Sequence, residues 1–470
     1  MQARLNDRDR LAKLIEMDAR SRPILRSVES IVVTDQQHGH VLVLRDTQGV
    51  TDAHAVIPPM LVPIVTRFTG AATCAEIARE CSRELGSTVP TAVVIRLAEE
   101  LERGLYLEGP AFHSARARAE REFAEASVRP PSHAGGAYHR QPRALERYID
   151  EECLARSNAT APDGRPKAKP IDRDASGAVD GRAGGAQDGD PSTNGTTATT
   201  RKADGNPRMV GLVAPHIDPW RGAAGYGHAY GAMRDALPAS VDTFVVLGTS
   251  HAPMREPFAL CRKGFDTPFG LAPADTDAVD SLAACAEGFD PYADQFNHKR
   301  EHSLEFQVVF LKHLLKHRDF RIVPVLAGLG LQQSTGMDPD GDPRVTRFMD
   351  GMRALVESRA GRIVVVAGAD LAHVGPRFGD EAAYGDEQRA HLDHADRTSL
   401  DRATSLDAKG FWAHVAGDLE SRRVCGLAPI WSLLSVLKST AATGHVLHYE
   451  QTVDKTDGSI VSHAAVGFYA

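Results

Sequence analysis

The chain has 470 residues, of which 25% are charged, and its formal net charge is −8. That length exceeds the roughly 250–300 residues that one hydrophobic core can organise, so we expect at least two folded units. The acidic balance argues against a general nucleic-acid or acidic-membrane binder. No run reaches the ~18–20 apolar residues needed to span a bilayer, and the first ten residues lack an apolar signal segment, so we expect a soluble, cytoplasmic protein.

The six cysteines do not have the arrangement of a disulfide framework, and none of them lie in a Cys-x-x-Cys pair. We therefore expect neither a zinc ribbon nor an iron–sulfur cluster bound by this chain. Most of the cysteines should be small buried residues.

Residues 1–112 have the pattern of a small, winged-helix-like α+β module. Two strands are expected at residues 31–34 and 40–44. The helical segments and a last short strand are expected at residues 61–68, 74–85, 90–103 and 104–107. Thr73 and Glu76 have the spacing of a capping box at the start of the second helical segment.

This layout resembles the PqqD-like domains, which clasp a peptide along one strand and one helix. The resembling pieces are Phe68-Thr69-Gly70, Ala75-Glu76-Ile77-Ala78 and Leu97-Ala98-Glu99-Glu100-Leu101. A DNA-binding winged helix is the competing interpretation. The mixture of acidic and basic side chains on the third helix disfavours phosphate contacts.

Residues 157–208 consist mainly of Ala, Gly, Asp, Pro, Thr, Asn, Lys and Arg, with Ile171 and Val179 as the larger aliphatic residues. Such a segment buries too little apolar surface to offset the entropy of ordering. We predict a disordered low-complexity insertion, with a structured Gly-rich loop as the alternative. Residues 128–156 start a second domain and residues 209–470 form its main body, where alternating strands and helices predict an α/β sheet.

Three apolar runs of this second domain end next to residues that bind metals or carry protons. The runs are residues 209–214, 243–247 and 362–368. The candidates that follow them are His216, His251, Asp370 and His373. In an open α/β sheet, ligands bind beyond the carboxyl ends of the strands, and imidazole suits iron, copper and zinc. The pattern predicts a metal site, although each histidine alone could be a turn residue bonded to a carbonyl.

Asp370 and His373 could form a carboxylate–imidazole pair that fixes the tautomer of the ring, or Asp370 could cap a short helix. His302 begins another helix and should be a pocket residue rather than a direct ligand. The neighbouring Glu301 and Glu305 could be site residues, or they could only interact favourably with the dipole at the helix N-terminus.

Cys425 follows two arginines and lies near a helix start, which predicts a lowered pKa and a partly ionised thiol. It could equally be a small buried residue. His313, His391 and His394 should lie on helix surfaces. No Gly-x-Gly-x-x-Gly, Walker or Gly-x-Ser-x-Gly motif supports a nucleotide cofactor or serine-hydrolase chemistry.

Taken in order, the motifs of the second domain resemble those of the Memo family, whose bacterial form is called AmmeMemoRadiSam system protein B. The matching pieces are Ser132-His133-Ala134-Gly135-Gly136-Ala137-Tyr138, Pro215-His216, Gly248-Thr249-Ser250-His251, Glu301-His302-Ser303-Leu304-Glu305, Asp370-Leu371-Ala372-His373-Val374-Gly375 and Cys425-Gly426. The resemblance implies an α/β fold with a mixed central sheet flanked by helices, similar to the class III extradiol dioxygenases.

The resemblance also implies a non-haem metal, iron or copper with zinc as an alternative. The implied site consists of the metal ligands His216, His251 and Cys425 and the catalytic residues His373, Asp370 and His302. A thiolate stands where the dioxygenases have a glutamate, which favours softer metal surroundings and argues against ring cleavage. The chain departs from the family at Ala137, where a tryptophan is usual, and in the segment after His216.

The function expected from the resemblance is a metal-dependent redox or dioxygenase-like enzyme. In this hypothesis the metal activates O₂, His373 shuttles protons and Asp370 orients that ring. The family name implies a radical SAM partner, to which the N-terminal module could present a peptide substrate. One alternative is a non-catalytic peptide- or phosphopeptide-binding protein with a vestigial metal site. Another is a metal-sensing DNA-binding protein, which the acidic charge disfavours. Substrate, metal identity and oligomeric state stay open.

Overall fold

A computed structural model describes residues 16–35, 39–158 and 207–470 of the chain. Most of the predicted insertion, residues 159–206, lies outside the described residues. Within the described ranges, no helix is long and apolar enough to cross a membrane. All six cysteines are unpaired, and Cys74, Cys81, Cys153 and Cys261 are buried as predicted.

The N-terminal module consists of a three-stranded antiparallel sheet covered by helices. Its strands are β1 (Glu29–Asp35), β2 (Gly39–Arg45) and β3 (Ala55–Ile57). Its helices are α1 (Val62–Val65), α2 (Cys74–Leu85), α3 (Thr91–Arg103) and α4 (Pro110–Glu125). The predicted capping box is present, since Glu76 N donates to Thr73 Oγ1 at 3.2 Å and Thr73 N donates to Glu76 Oε2 at 2.7 Å.

The short strand predicted at residues 104–107 is wrong, because this segment is a turn. Leu105 has a φ of 63°, which is a left-handed conformation incompatible with a strand. Leu107 makes only an isolated bridge to Leu25. The turn connects α3 to α4, and the sequence pattern did not predict this connection. The module boundary expected at residue 112 falls inside α4.

The second domain is built on an eight-stranded mixed sheet in the part of the chain that is described. Its strands are β5 (Met209–Ala214), β6 (Thr243–Thr249), β7 (Phe258–Leu260), β9 (Arg321–Ala327), β10 (Ile363–Gly368), β11 (His373–Val374), β12 (Thr443–Val453) and β13 (Ile460–Tyr469), while β4 (Val128–Arg129) and β8 (Gly264–Phe265) pair separately. The order is β11-β13-β5-β10-β6-β9-β7, with β12 paired to β13. The predicted fold class, a mixed sheet flanked by helices, is confirmed.

Helices cover both faces of this sheet. They are α5 (Pro142–Arg147), α6 (Pro219–Ala236), α7 (Thr276–Ala283), α8 (His302–Leu314), α9 (Gly330–Thr335), α10 (Pro343–Ser358), α11 (Asp386–Thr404), α12 (Ala408–Ala416), α13 (Leu419–Arg422) and α14 (Leu427–Leu437). On one face α6 and α8 pack together through Tyr226 and Phe310, whose rings stack at 4.5 Å. On the other face α14 lies against the central strands. The alternating side chains of β6 and β10 therefore enter two separate cores.

Strand β10 lies between β5 and β6 and is parallel to both, which positions the site. In register, Gly368 lies beside Ala214 on one side and beside Gly248 on the other. The residues that follow these three strands therefore emerge at one edge of the sheet. The antiparallel hairpin of β12 and β13, which the alternation of strands and helices did not predict, closes the other side of β5.

Candidate metal centre

Three predicted ligands from distant parts of the chain meet at the carboxyl edge of the sheet. Sγ of Cys425 lies 3.0 Å from Nε2 of His216. The ligand atoms of His216, His251 and Cys425 all lie within 4.8 Å of one another. His216 is buried, whereas His251 remains exposed and Cys425 is partly exposed. The group is therefore packed against the protein on one side and reachable from solvent on the other.

Backbone packing delivers Cys425 to the two imidazoles. Gly426 N donates to the carbonyl oxygen of Asp370 at 3.1 Å, just before α14 begins. A Cβ at Gly426 would lie only 2.3 Å from that oxygen, so the approach requires glycine. The hydroxyl of Thr249 donates to the carbonyl oxygen of Cys425 at 2.9 Å. The ends of β6 and β10 thus hold the cysteine.

Both histidine rings are oriented through their Nδ1 atoms. Nδ1 of His216 lies 3.0 Å from the carbonyl oxygen of Gly368. Nδ1 of His251 lies 3.0 Å from Oε1 of Glu301, whose Oε2 accepts the backbone N–H of His251 at 2.9 Å. A ring that donates through Nδ1 offers the lone pair of Nε2 to a metal. In both rings Nδ1 therefore faces a protein acceptor, and Nε2 is the nitrogen that can bind a metal once it has released its proton.

The cluster shifts the pKa values of its members. Burial alone would raise the pKa of the Cys425 thiol, but His216 and His251 lower it to about 6. Burial opposes the charged form of His216, yet Cys425 and Asp370 raise its pKa to about 9. The expected direction for Cys425 is thus found, but its expected cause is wrong. Arg422 and Arg423 instead form ion pairs with carboxylates away from the sulfur.

The pKa of Cys425 predicts how fast the metal-free protein is alkylated. Because this pKa of about 6 lies below the ordinary value of 9.0, thiolate is present above pH 6 and is lost below it. The rate of Cys425 alkylation by iodoacetamide should rise through pH 6 and level off by about pH 7. Peptide mass spectrometry measures it, with the partly exposed Cys285 as the internal control. A rate that climbs steadily up to pH 9 would contradict the prediction.

His216, His251 and Cys425 are hereafter called the ligand group, and the remaining predicted residues lie around it. The ring centroid of His302 lies 4.4 Å from the ring centroid of His251 and 5.2 Å from that of His216. Burial and the neighbouring His251 hold the pKa of His302 well below its usual value. Burial likewise lowers the pKa of His373 to about 4. Both rings are neutral at pH 7, so His373 is a weak base.

Asp370 contacts a different histidine from the one expected. Its Oδ1 accepts the backbone N–H of His216 at 2.9 Å, and its Oδ2 lies 3.7 Å from Nε2 of that ring. Nδ1 of His373 instead lies 3.2 Å from the carbonyl oxygen of Leu371. Asp370 therefore supports His216, a predicted ligand, rather than orienting His373.

A family model described as Memo-like protein matches residues 193–467. This chain belongs to the Memo family. A MEMO1 family protein of Aquifex aeolicus (strain VF5) is 22% identical over 435 residues, which is 92% of this chain and 97% of that protein. A MEMO1 family protein of Archaeoglobus fulgidus is 28% identical over 264 residues, or 55% of this chain and 87% of that protein. The chain is also similar to the crystal structure of an uncharacterised protein from Escherichia coli K12, with 14% sequence identity and a TM-score of 0.32. This match covers 55% of the present chain and 99% of the E. coli chain.

In this Memo-family chain, the start of α8 packs directly against the carboxyl ends of β6 and β10. A Cβ at Gly368 would lie 2.1 Å from the carbonyl oxygen of Ser303, and one at Gly248 would lie 2.5 Å from Oγ of Ser303. Glycine at both strand ends therefore lets the helix bring Glu301 and His302 to the ligand group. Oε1 of Glu301 also accepts the N–H of Ser303 at 2.9 Å as the helix N-cap.

Glu301 thus both caps the helix and supports His251, two roles that the sequence left as alternatives. Replacing Glu301 with glutamine should weaken metal binding by about 10–100-fold, because His251 loses the carboxylate that orients it. Competition against a chelator of known affinity measures this change, with circular dichroism to verify the fold. The exposed Glu387→Gln is the matched control. Unchanged affinity in Glu301→Gln would show that the carboxylate does not support His251.

A second buried carboxylate is Glu305, whose role in the site the sequence left open. It binds the segment of residues 129–138, hereafter the arm, which lies ahead of the predicted insertion. Arg129 forms a buried ion pair with it, and the hydroxyl of Tyr138 donates to Oε1 at 2.5 Å. The arm matches a family motif, but only the fold reveals that the motif packs against the first turn of α8.

The N-terminal module contacts both sides of the site region. Nζ of Lys299 donates to the carbonyl oxygen of Gly49 at 2.7 Å, and Arg300 pairs with Asp52 at 3.2 Å. These two basic residues immediately precede Glu301. Strand β1 lies against the 3-10 turn Pro376–Phe378, which follows His373. The module is therefore a neighbour of the candidate centre.

Proposed function

We propose that this protein binds one iron or copper ion through His216, His251 and Cys425 and acts as a redox enzyme. The observation that carries the proposal is the convergence of one sulfur and two imidazoles within 4.8 Å. His216 and Cys425 are 209 residues apart in the sequence, so only the packing of the domain brings their side chains together. Membership of the Memo family supports the proposal, because the family resemblance implies the same three ligands.

The chemistry of the donor set fits such an ion. A thiolate with two neutral imidazoles suits iron, copper or zinc better than magnesium or calcium. A set of three protein ligands is typical of catalytic metal sites, whereas structural sites usually have four. Iron or copper bound there would supply one-electron redox chemistry to the solvent-facing side of the three residues, hereafter the cleft.

The chain's own residues would prepare the site in three ways. Asp370 holds the backbone of His216, and Glu301 holds both the backbone and the ring of His251. The lowered pKa of His302, caused first by burial, keeps that ring uncharged beside the ligands. A neutral wall avoids electrostatic repulsion of a bound cation.

The partners expected from the resemblance belong to the same proposal. The contacts of Gly49 and Asp52 with Lys299 and Arg300 support a role for the N-terminal module in bringing a peptide substrate to this cleft. A radical SAM enzyme as the partner is supported by the family resemblance.

Elemental analysis of protein purified without oxygen tests the proposal. We expect close to one equivalent of iron or copper per chain, and the same ion should be taken up again after chelation. Zinc as the bound metal would contradict the redox assignment. A protein that neither contains nor takes up metal would favour the alternative of a peptide-binding protein with a vestigial site.

A further inference from the structure

The arm brings another histidine, His133, to the cleft. Its ring lies 5.6 Å from that of His302, which in turn lies 5.2 Å from that of His216. The side chain of His133 is 23% exposed, so solvent reaches it. His302 therefore lies between His133 and the ligand group, and His133 borders the site on a side that solvent reaches.

Buried hydrogen bonds fix the position of His133. Oε1 of Glu305 accepts its backbone N–H at 2.9 Å, while Oε2 lies 3.1 Å from its Nδ1. Oε2 also accepts the hydroxyl of Ser132 at 2.7 Å. The backbone bond already holds the arm in place, so the imidazole is not needed as an anchor.

The carboxylate determines the tautomer of this ring. Burial opposes the ionisation of Glu305, but Arg129 and the hydrogen bonds from His133 and Tyr138 hold its pKa well below the usual value. Oγ of Ser132 lies 2.9 Å from the same Nδ1, but its hydroxyl donates to Oε2 of Glu305. Since an ionised carboxylate only accepts hydrogen bonds, Nδ1 of His133 carries the proton. The lone pair is then on Nε2. Within the described ranges, no protein group forms a hydrogen bond with Nε2.

We infer that His133 is a further catalytic residue, an acid–base group that acts on the substrate through Nε2 with Glu305 as its supporting carboxylate. The inference rests on the proposed function, since it assigns a proton acceptor to the same cleft. The substrate class is a molecule with a dissociable O–H or N–H group. The bond from that hydrogen to its oxygen or nitrogen breaks and an Nε2–H bond forms. The electron pair stays on the substrate, and Glu305 balances the imidazolium charge.

This arrangement has the geometry by which a carboxylate orients a histidine base and stabilises its charged form. Of the other imidazoles, His251 also has a carboxylate at Nδ1, while Nδ1 of His302 lies 3.5 Å from the same Glu301 oxygen without a hydrogen bond to it. His216 and His251 are assigned to the metal, and Nδ1 of His373 lies near a carbonyl oxygen rather than a carboxylate. Among the described histidines around this cleft, His133 combines a carboxylate on Nδ1, an unbonded Nε2 and access to solvent.

The test uses the full chain without added metal, and a reagent rather than a substrate. Diethyl pyrocarbonate acylates the unprotonated ring nitrogen of histidine, and peptide mass spectrometry locates the product. We expect His133 to be modified at neutral pH, and Glu305→Gln to slow this modification by about tenfold. Nitrogen-15 NMR of histidine-labelled protein should show a ring with protonated Nδ1 and bare Nε2, and this signal should vanish in His133→Asn.

His133→Asn also separates the two proposals. Asparagine keeps a donor near Glu305 but has no group at the position of Nε2, so metal content should match that of the native chain. An Nε2–H tautomer, or a His133 that the reagent does not modify, would overturn the inference even if Glu305→Gln failed to fold. A native chain that binds no metal but shows the expected tautomer would instead defeat the proposed function and leave His133 as a base.

Discussion

Replacing Cys425 with serine should reduce bound metal to background. The serine hydroxyl stays protonated near neutral pH and is a poor ligand for soft metals, so only two imidazoles would remain. Loss of an orienting partner already costs about 10–100-fold in affinity, and the loss of a ligand should cost at least the upper end of that range. Elemental analysis after purification, followed by titration with ferrous or cuprous ion, measures the effect.

Cys285→Ser is the matched control, because Cys285 is also partly exposed but its Sγ lies near the carbonyl oxygen of Ser281, outside the ligand group. That variant should bind metal like the native chain. Native metal content in Cys425→Ser would show that the sulfur is not a ligand. The closeness of Cys425 to His216 would then be a packing contact.

Replacing Arg129 with methionine should destabilise the second domain by about 3–5 kcal/mol, because it leaves a buried carboxylate without its counter-charge. Arg129 is fully buried and Glu305 is 1% exposed. The guanidinium also donates to the carbonyl oxygens of His298 and Glu301, at 2.9 and 3.1 Å. Urea unfolding followed by tryptophan fluorescence measures the loss, since the three tryptophans all lie in this domain.

The solvent-exposed ion pair of Lys316 and Glu146, with N–O separation of 2.7 Å, is the control. Lys316→Met should cost far less than Arg129→Met, because water and mobile side chains weaken exposed pairs. The double variant Arg129→Met with Glu305→Gln should lose less than Arg129→Met alone, since no unpaired charge stays buried. If Arg129→Met costs no more than Lys316→Met, the arm is not held by this ion pair.

Local patterns were sufficient for much of the fold. The apolar run at Met209–Ala214 became β5 with the bounds expected, because a buried parallel strand needs a continuous apolar sequence. The capping box of Thr73 and Glu76 formed because both hydrogen bonds lie within one helical turn. The turn at Leu105 was missed, since a left-handed leucine has no sequence signal. His313, expected on a surface, is buried, and its Nε2 lies 2.8 Å from Oδ1 of Asp150 in the segment that follows α5.

The amino-acid sequence alone determined which residues end the central strands, and so which imidazoles could share one edge of the sheet. It also placed the chain in a family whose resemblance adds Cys425 to His216 and His251. Only the tertiary structure decided which partner each side chain meets: Asp370 binds His216 rather than His373, and Glu305 binds the arm. Strand ends are encoded by neighbours along the chain, whereas these contacts join groups more than 150 residues apart and depend on how helices and strands pack.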